Sequence, residues 1–589
     1  MTDTKGAPDA GPARRPSVGL SSSVVFLITI AIQAIGYAAS YFTSHHIGGM
    51  GADGLAILSI SGLYLLIAST LSGLGDLRVG SAYVFYVARG RDPRSITSTY
   101  LALRLGLVAV ASAAAFLLSP LLPFVHGSAC GGLSRADEFT IFGLFMLIPL
   151  LWSPGVVYGQ LWVARGNSIR GQYPLLVQSV VQTVGLITVA LVAQTPQVAI
   201  WGIVGAYLIG GVASAAYSLP SVASYTVGRP SGAEARRLFI YAWPLMGGLF
   251  LQYIASNTLP FFVQGVSEEA VTIFLAANGF RILLMGLPNA VSVPLFPHLT
   301  NLHVQREYEV LRRRTWLALR YTAMLIIPAA IAFVAYRSNL LDLLFGHNYV
   351  SPPLCPGQSP TGSSAPLGSS GSVALALLAV SAIPAALTGI ILTALNSVGR
   401  QRLELYLQAL TVVILLGVSF LVLPPYSVLG NWGLSGAGWA VLISSVGGFL
   451  LNVYFLERIL AVRIQPRPIL AIVASAAASF LVISRLNTVI NPTHWYTLGF
   501  ALVLGFTSYF VVLALSGELS KTDVRQIGSF LGLPASVGDL FARACWREET
   551  RDHGELLVGE RGEESDATLD STRIDPNAPD KPQRPRGLG

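Results

Sequence analysis

Arg281 stands inside FLAANGFRILLMGLPNAVSVPLF, residues 274–296, with no other ionisable side chain in the run. Asn278 precedes it by three positions, on the same face of a helix. A guanidinium is planar, permanently charged and forked, so it suits a phosphate or diphosphate. The alternative is structural, a pairing of Arg281 with a carbonyl or an amide. Gln33, Gln252 and Asn257 also interrupt apolar runs, as do Gln178 and Gln408. Each reads either as the lining of a polar cavity or as a hydrogen bond between helices. Arg104 and Arg320 sit near the ends of their runs, where they could line the same cavity or snorkel to headgroups. Motifs for covalent or metal chemistry are missing: there is no His-Glu-x-x-His, P-loop or Gly-x-Ser-x-Gly. His45 and His46, with Asp53 following, read as loop residues. Neither a metal nor a cofactor is expected, and Cys130, Cys355 and Cys545 fit no zinc or redox spacing.

What must hold these residues is set by composition. The 589 residues are 53% hydrophobic and 11% charged, with a mean hydropathy of +0.62. Soluble domains carry about 25% charged residues, so most of this chain belongs in lipid. Its net charge of +8 therefore calls for a topological account, not a nucleic-acid one. Apolar runs of about 20 residues recur, predicting about 14 membrane helices in an all-α, polytopic fold. One set of alternate loops carries 21 basic residues; the opposite set carries three, Arg135, Arg337 and Arg485. Cytoplasmic loops hold the excess of Lys and Arg, which predicts both termini in the cytoplasm of a plasma membrane protein.

The chain also repeats itself. Trp-Gly-x-x-Gly-Ala occurs at Trp201–Ala206 and again at Trp432–Ala437. Thr99-Tyr100-Leu101-Ala102-Leu103-Arg104 is echoed by Thr315-Trp316-Leu317-Ala318-Leu319-Arg320, and Gln178 is matched by Gln408. These matches predict two like-oriented six-helix lobes, as in parallel-repeat transporters, with a cavity between them. The expected layout is an N-tail at 1–20, an N-lobe at 21–219, a linker at 220–237 and a C-lobe at 238–456. Two extra C-terminal helices follow at 469–516. Residues 517–548 read as an amphipathic surface segment and 549–589 as a disordered cytoplasmic tail.

Several stretches resemble the oligosaccharide and polysaccharide flippases, whose superfamily includes the lipid II flippases and the multidrug-and-toxin extruders. They include LSGLGDLRVGSAYVFYVARGRD at 71–92, YAWPLMGGLF at 241–250, LTALNSVGRQRLE at 392–404 and WGLSGAGWA at 432–440. The likeness covers about residues 20–520. It implies alternating access and a cargo of polyprenyl-linked sugar phosphate, moved from the inner to the outer leaflet. It also implies a cationic cavity, with Arg281 at the position of an arginine in the eighth helix. Asn257 stands where extruders carry an acid. The expected partners are a lipid-linked oligosaccharide, the bilayer and glycan-assembly enzymes, in a prokaryotic membrane and without nucleic acid. Cys130 and Cys355 fall at matching places in the two halves and could form a disulfide. A cation-coupled small-molecule or drug exporter of the same superfamily is the main alternative. A polyprenyl-phosphate glycosyltransferase with Asp53 as catalytic acid is the other.

Overall fold

The computed structural model describes residues 18–76, 78–88, 91–121, 133–165, 167–226, 228–350, 371–424, 428–429, 432–462, 465–490 and 494–517. Cys130, Cys355 and Cys545, the Pro/Gly/Ser-rich residues 351–370 and the segment after 517 lie outside them, as do the disulfide and surface-segment expectations attached to them. By its contacts the chain divides into residues 1–512 and 513–589; of the second unit only 513–517 are described.

Every regular element among the described residues is helical. The long helices are α1 Val18–His46, α2 Ala52–Asp76, α3 Pro93–Leu118, α4 Arg135–Ala164, α5 Tyr173–Val192, α6 Pro196–Tyr225 and α7 Gly232–Asn257. They continue as α8 Glu268–Val304, α9 Tyr308–Ala335, α10 Gly371–Ser397, α11 Gln401–Val422, α12 Gly433–Leu460, α13 Pro466–Ile490 and α14 Trp495–Leu515. Among the described residues, twelve helices are long and apolar enough to cross a membrane. With α1 at 29 residues and α7 at 26, the fold is compatible with 14 crossings.

Local chemistry sets several boundaries. α3 opens with Asp92 accepting from Arg94 N and Pro93 in the first turn, where the missing proline N–H costs nothing. Ser134 and Thr195 cap α4 and α6 in the same way. The apolar run at 238–263 is broken. α7 stops at Asn257, and Leu259–Gln264 forms a short separate helix with Pro260 in its first turn. Proline removes one helical hydrogen bond and its ring crowds the carbonyl four residues back.

The doubled phrase does related work in the two halves. Trp201 and Trp432 are 40% and 39% exposed, as expected of side chains at a membrane interface. Gly202 lies inside α6, where a Cβ would press on the side chain of Val189 in α5. Its mate Gly433 instead opens α12 with a φ of 57°, a backbone that favours glycine. The difference arises because the Thr195 cap starts α6 a turn earlier.

The packing distinguishes the two ends of the molecule. Toward the ends that carry the arginine-poor loops, one apolar cluster joins both halves. It includes Ile47, Leu55, Tyr64 and Phe145 with Phe274, Leu341, Phe345 and Leu378. Toward the arginine-rich ends the described cores are separate. One gathers Val79, Tyr83, Tyr100 and Val157 with Leu238 and Met246 of α7. The other gathers Leu299, Leu319, Ile390, Leu407 and Leu456. Helix α7 thus begins on the first half, with Tyr241 stacked on Phe85 at 4.5 Å. After its break, Phe262 meets Phe420 of the second half.

Gly54 is a sensitive point at the joined end, because a Cβ there would drive into the backbone carbonyl of Ile47. The Gly54→Ala protein should be destabilised by about 1–3 kcal/mol, the cost of overpacking. Thermal unfolding of the purified chain in detergent measures this; an unchanged midpoint would show that the α1–α2 connection yields freely.

Candidate functional site

Direct hydrogen bonds tie the halves together at the arginine-poor end. The Tyr349 hydroxyl donates to Ser44 Oγ at 3.1 Å, and Asn348 Nδ2 to the Gly48 carbonyl at 3.0 Å. Thr272 Oγ1 donates to the Leu55 carbonyl at 2.9 Å. Gly48 admits the Tyr349 ring, whose Cε2 would lie 3.3 Å from any added Cβ. Burial pushes the Tyr349 hydroxyl pKa well above its ordinary value, so this latch stays protonated at physiological pH.

Under the latch lies a cavity of about 450 Å³ between α1, α2, α5, α6 and α8. Its wall runs from Ser44 and Tyr349 down to Gln33, Ile282 and Leu283. None of its lining side chains is charged, among the described residues. Helix α1 supplies a polar stripe of Gln33, Tyr37, Ser40 and Ser44; steps of three and four residues place them on one face. Facing them, α8 presents Thr272, Leu275, Gly279 and Leu283.

Of the residues singled out in the sequence whose side chains are described, Gln33 lines this cavity and the others do not. Arg281 follows Gly279 by two residues, which turns it about 200° around α8 at 100° per residue. It therefore lies off the cavity face of the same helix. Its Nε is buried without a hydrogen-bond partner. Asn278 flanks that face, a quarter-turn or so from Gly279.

Arg104 neither lines the cavity nor reaches for headgroups. It is 2% exposed and paired through Nη1 with Asp76 Oδ1 at 2.9 Å. Its Nη2 donates to the Ser72 carbonyl and Oγ at 3.3 and 3.2 Å. The Tyr100 hydroxyl donates to the same Asp76 oxygen at 2.6 Å, and Tyr100 stacks on Tyr83 at 5.0 Å. Sequence reading missed this cluster because Asp76 and Arg104 are 28 positions apart. Its repeat mate, Arg320, is half-buried in α9.

Asn257 Nδ2 donates to Thr70 Oγ1 at 2.8 Å, which makes it a bond between the halves beside the break in α7. One turn earlier, the Tyr253 hydroxyl fills the space over Gly73 of α2. Gln252 lies in the same helix, α7. Gln408 Nε2 donates to Glu404 Oε1 at 2.9 Å and Asn396 Nδ2 to Glu404 Oε2 at 2.6 Å, so that amide is spent within the second half.

The arrangement is that of two lobes latched at one end over a neutral, hydroxyl-rich chamber. Cysteines replacing Ser44 and Tyr349, in a chain whose own cysteines are changed to serine, lie too far apart for a direct disulfide, because the bond they replace spans the length of a tyrosine side chain. A short bis-methanethiosulfonate cross-linker can join them and tests whether the latch must open. Cross-linking is expected to abolish activity and reduction to restore it. Full activity of the cross-linked protein would show that this end stays closed.

Residues 172–352 match the family model described as polysaccharide biosynthesis protein. Among solved structures, the lipid II flippase MurJ in an inward closed conformation superposes with a TM-score of 0.62. The match covers 84% of this chain and 98% of that one at 11% identity. An inward-facing multidrug resistance transporter of the MATE family, in the MOP superfamily, superposes at 0.56, with 14% identity over 74% of this chain and 98% of that one. An outward-facing one gives 0.52, with 15% identity over 75% and 95%. At these identities the likeness is one of fold. No curated protein sequence matches the chain.

Proposed function

We propose that this chain, a multi-pass membrane protein built on the fold shared by flippases and multidrug transporters, is a flippase for a lipid-linked oligosaccharide. The arginine-rich ends face the cytoplasm, so the latched end faces outward and the cargo enters from the inner leaflet. The observation that carries this reading is the uncharged chamber, with a polar stripe along α1, between two lobes that share a core at one end only. Opening the latch while the arginine-rich ends close together would expose the chamber to the opposite side in turn.

The chemistry is one of passage rather than catalysis. Moving a phosphorylated glycan through hydrocarbon would strip water from a charge and many hydroxyls at prohibitive cost. The chamber offers hydroxyls and amides instead, while a polyprenyl tail stays in lipid. Arg281 would neutralise the phosphate as the head passes α8, since it has a buried nitrogen with no partner of its own. Asn278 and Asn257 would complete that polar path. The partial match to a polysaccharide biosynthesis model favours this cargo.

The fold leaves export of a small organic molecule as the second reading. A cationic drug wants a carboxylate in the chamber, and no acidic side chain lines the one described here. The deciding experiment is movement of a fluorescent polyprenyl-diphosphate oligosaccharide between leaflets of proteoliposomes that contain the purified chain. Movement above protein-free vesicles supports the flippase reading. No movement, together with uptake of organic cations, would replace it by the exporter reading.

A further inference from the structure

We infer that the chamber under the latch is a subsite for the sugar part of the cargo, and that it selects an uncharged glycan of about two or three sugar rings. The inference rests on the flippase reading for the lipid tether, but the glycan preference is carried by the chamber alone.

The first observation is the state of the hydroxyls. Ser40 Oγ donates to the Gly36 carbonyl at 3.1 Å and Thr43 Oγ1 to the Ala39 carbonyl at 3.0 Å. Ser61 Oγ donates to the Leu58 carbonyl at 3.0 Å, and Thr272 Oγ1 to the Leu55 carbonyl. Each hydroxyl has one proton and two acceptor lone pairs. With the protons committed to helix carbonyls, the free valences of these groups are acceptors. Sugar hydroxyls, which are donors as well as acceptors, complete such a surface. An anionic group does not, because it meets lone pairs.

The second observation is the missing cation. Among the described residues no Lys, Arg or His lines the chamber, and Arg281 is turned to another face of α8. An ionised uronic or sialic acid carboxylate would lose its water here without gaining a counter-ion. Gln33 supplies an amide, and the ring of Tyr37 has its hydroxyl beside Gly279, 3.5 Å from an added Cβ. These place a few donors against otherwise apolar walls, as in sites that recognise neutral polar ligands.

The third is size. A chamber of about 450 Å³ is in the range that encloses a drug-sized molecule, about two or three pyranose rings. Gly36, Gly62 and Gly279 line it, and any larger side chain at those positions would reduce it.

The test uses the full chain in nanodiscs, titrated with two soluble probes: N,N′-diacetylchitobiose, which is neutral, and a uronic-acid disaccharide of similar size. The neutral probe should bind at least about tenfold more tightly, since the acidic one must bury an unpaired charge. Gln33→Leu should weaken neutral binding about fivefold to tenfold by removing its hydrogen bonds. Ser40→Lys, which places an ammonium group in the wall, should invert the preference. Each variant is accepted only if its melting temperature matches the parent. Equal binding of both probes, or a preference unmoved by Ser40→Lys, overturns the inference.

The same two glycans are then attached to polyprenyl diphosphate and followed in proteoliposomes. Movement of both at one rate refutes the selectivity and leaves the flippase reading standing. Neutral-probe binding with movement of neither refutes the flippase reading and leaves the sugar site standing.

Discussion

Replacing Arg281 with leucine will slow transport of a lipid-linked oligosaccharide by about 10- to 100-fold while leaving the protein as stable as before or more so. The first half follows from the strength of a charge-assisted hydrogen bond to an anion, about 1.5–3 kcal/mol, at a factor of ten for each 1.4 kcal/mol in rate. The second half follows from the surroundings. The buried Nε of Arg281 has no partner, so removing the side chain breaks no bond there and relieves a costly desolvation. A structural arginine would behave in the opposite way and take stability with it. Arg281→Lys keeps the charge but loses the planar fork, so its rate should fall between the two. The measurements are leaflet exchange in proteoliposomes and thermal unfolding on the same preparations. Wild-type transport by the leucine variant would remove Arg281 from the passage.

Breaking the Arg104–Asp76 pair should do the reverse and act on stability first. Arg104 is sealed in, 2% exposed, while Asp76 is 20% exposed. Arg104→Leu leaves a mostly buried carboxylate with the Tyr100 hydroxyl as its remaining donor. Asp76→Asn leaves a sealed guanidinium with neutral acceptors alone, the amide oxygen and Ser72, and no counter-charge. Removing one partner of a buried pair costs about 3–5 kcal/mol, whereas replacing both with neutral groups is far milder. Each single variant should therefore unfold at a clearly lower temperature, and Asp76→Asn with Arg104→Gln should recover much of the loss. Non-additivity in this cycle identifies the pair as the cause. Additive losses would mean that the two residues act separately, through their other contacts.

Much of the fold was legible in the sequence because lipid imposes long apolar runs. α2 through α6 and α8 through α14 follow from run length and composition, and the two-part design follows from the repeated phrases. The break after Asn257 was less legible, since residues 259–263 remain apolar across it. Pro260 was the available signal.

The site was less legible than the fold. Depth along α8 showed that Arg281 lies far from either surface. It did not show which way the residue points, because α8 is apolar on all sides and carries no stripe to orient it. Of the expected residues whose side chains are described, Gln33 alone reached the chamber. Its other polar residues are the amide of Gln182 and hydroxyls such as Tyr37, Ser40, Ser44 and Tyr349, of kinds found throughout membrane helices. A sharper signal was present in α1, where Gln33, Tyr37, Ser40 and Ser44 recur at helical spacing in an otherwise apolar run. The Arg104–Asp76 pair carries no such periodicity, since its partners meet only through the packing of α3 on α2.

The length of α8 has a practical corollary. Its 37 residues span about 55 Å, against about 30 Å of hydrocarbon. A rod of that length, held near its start by the bond from Thr272 to Leu55, works as a pointer. A 10° change of tilt at the pivot would sweep the Val304 tip through about 8 Å. A spin label or fluorophore at that tip, read against one on α3, would turn a small rearrangement inside the bilayer into a displacement large enough to follow in real time.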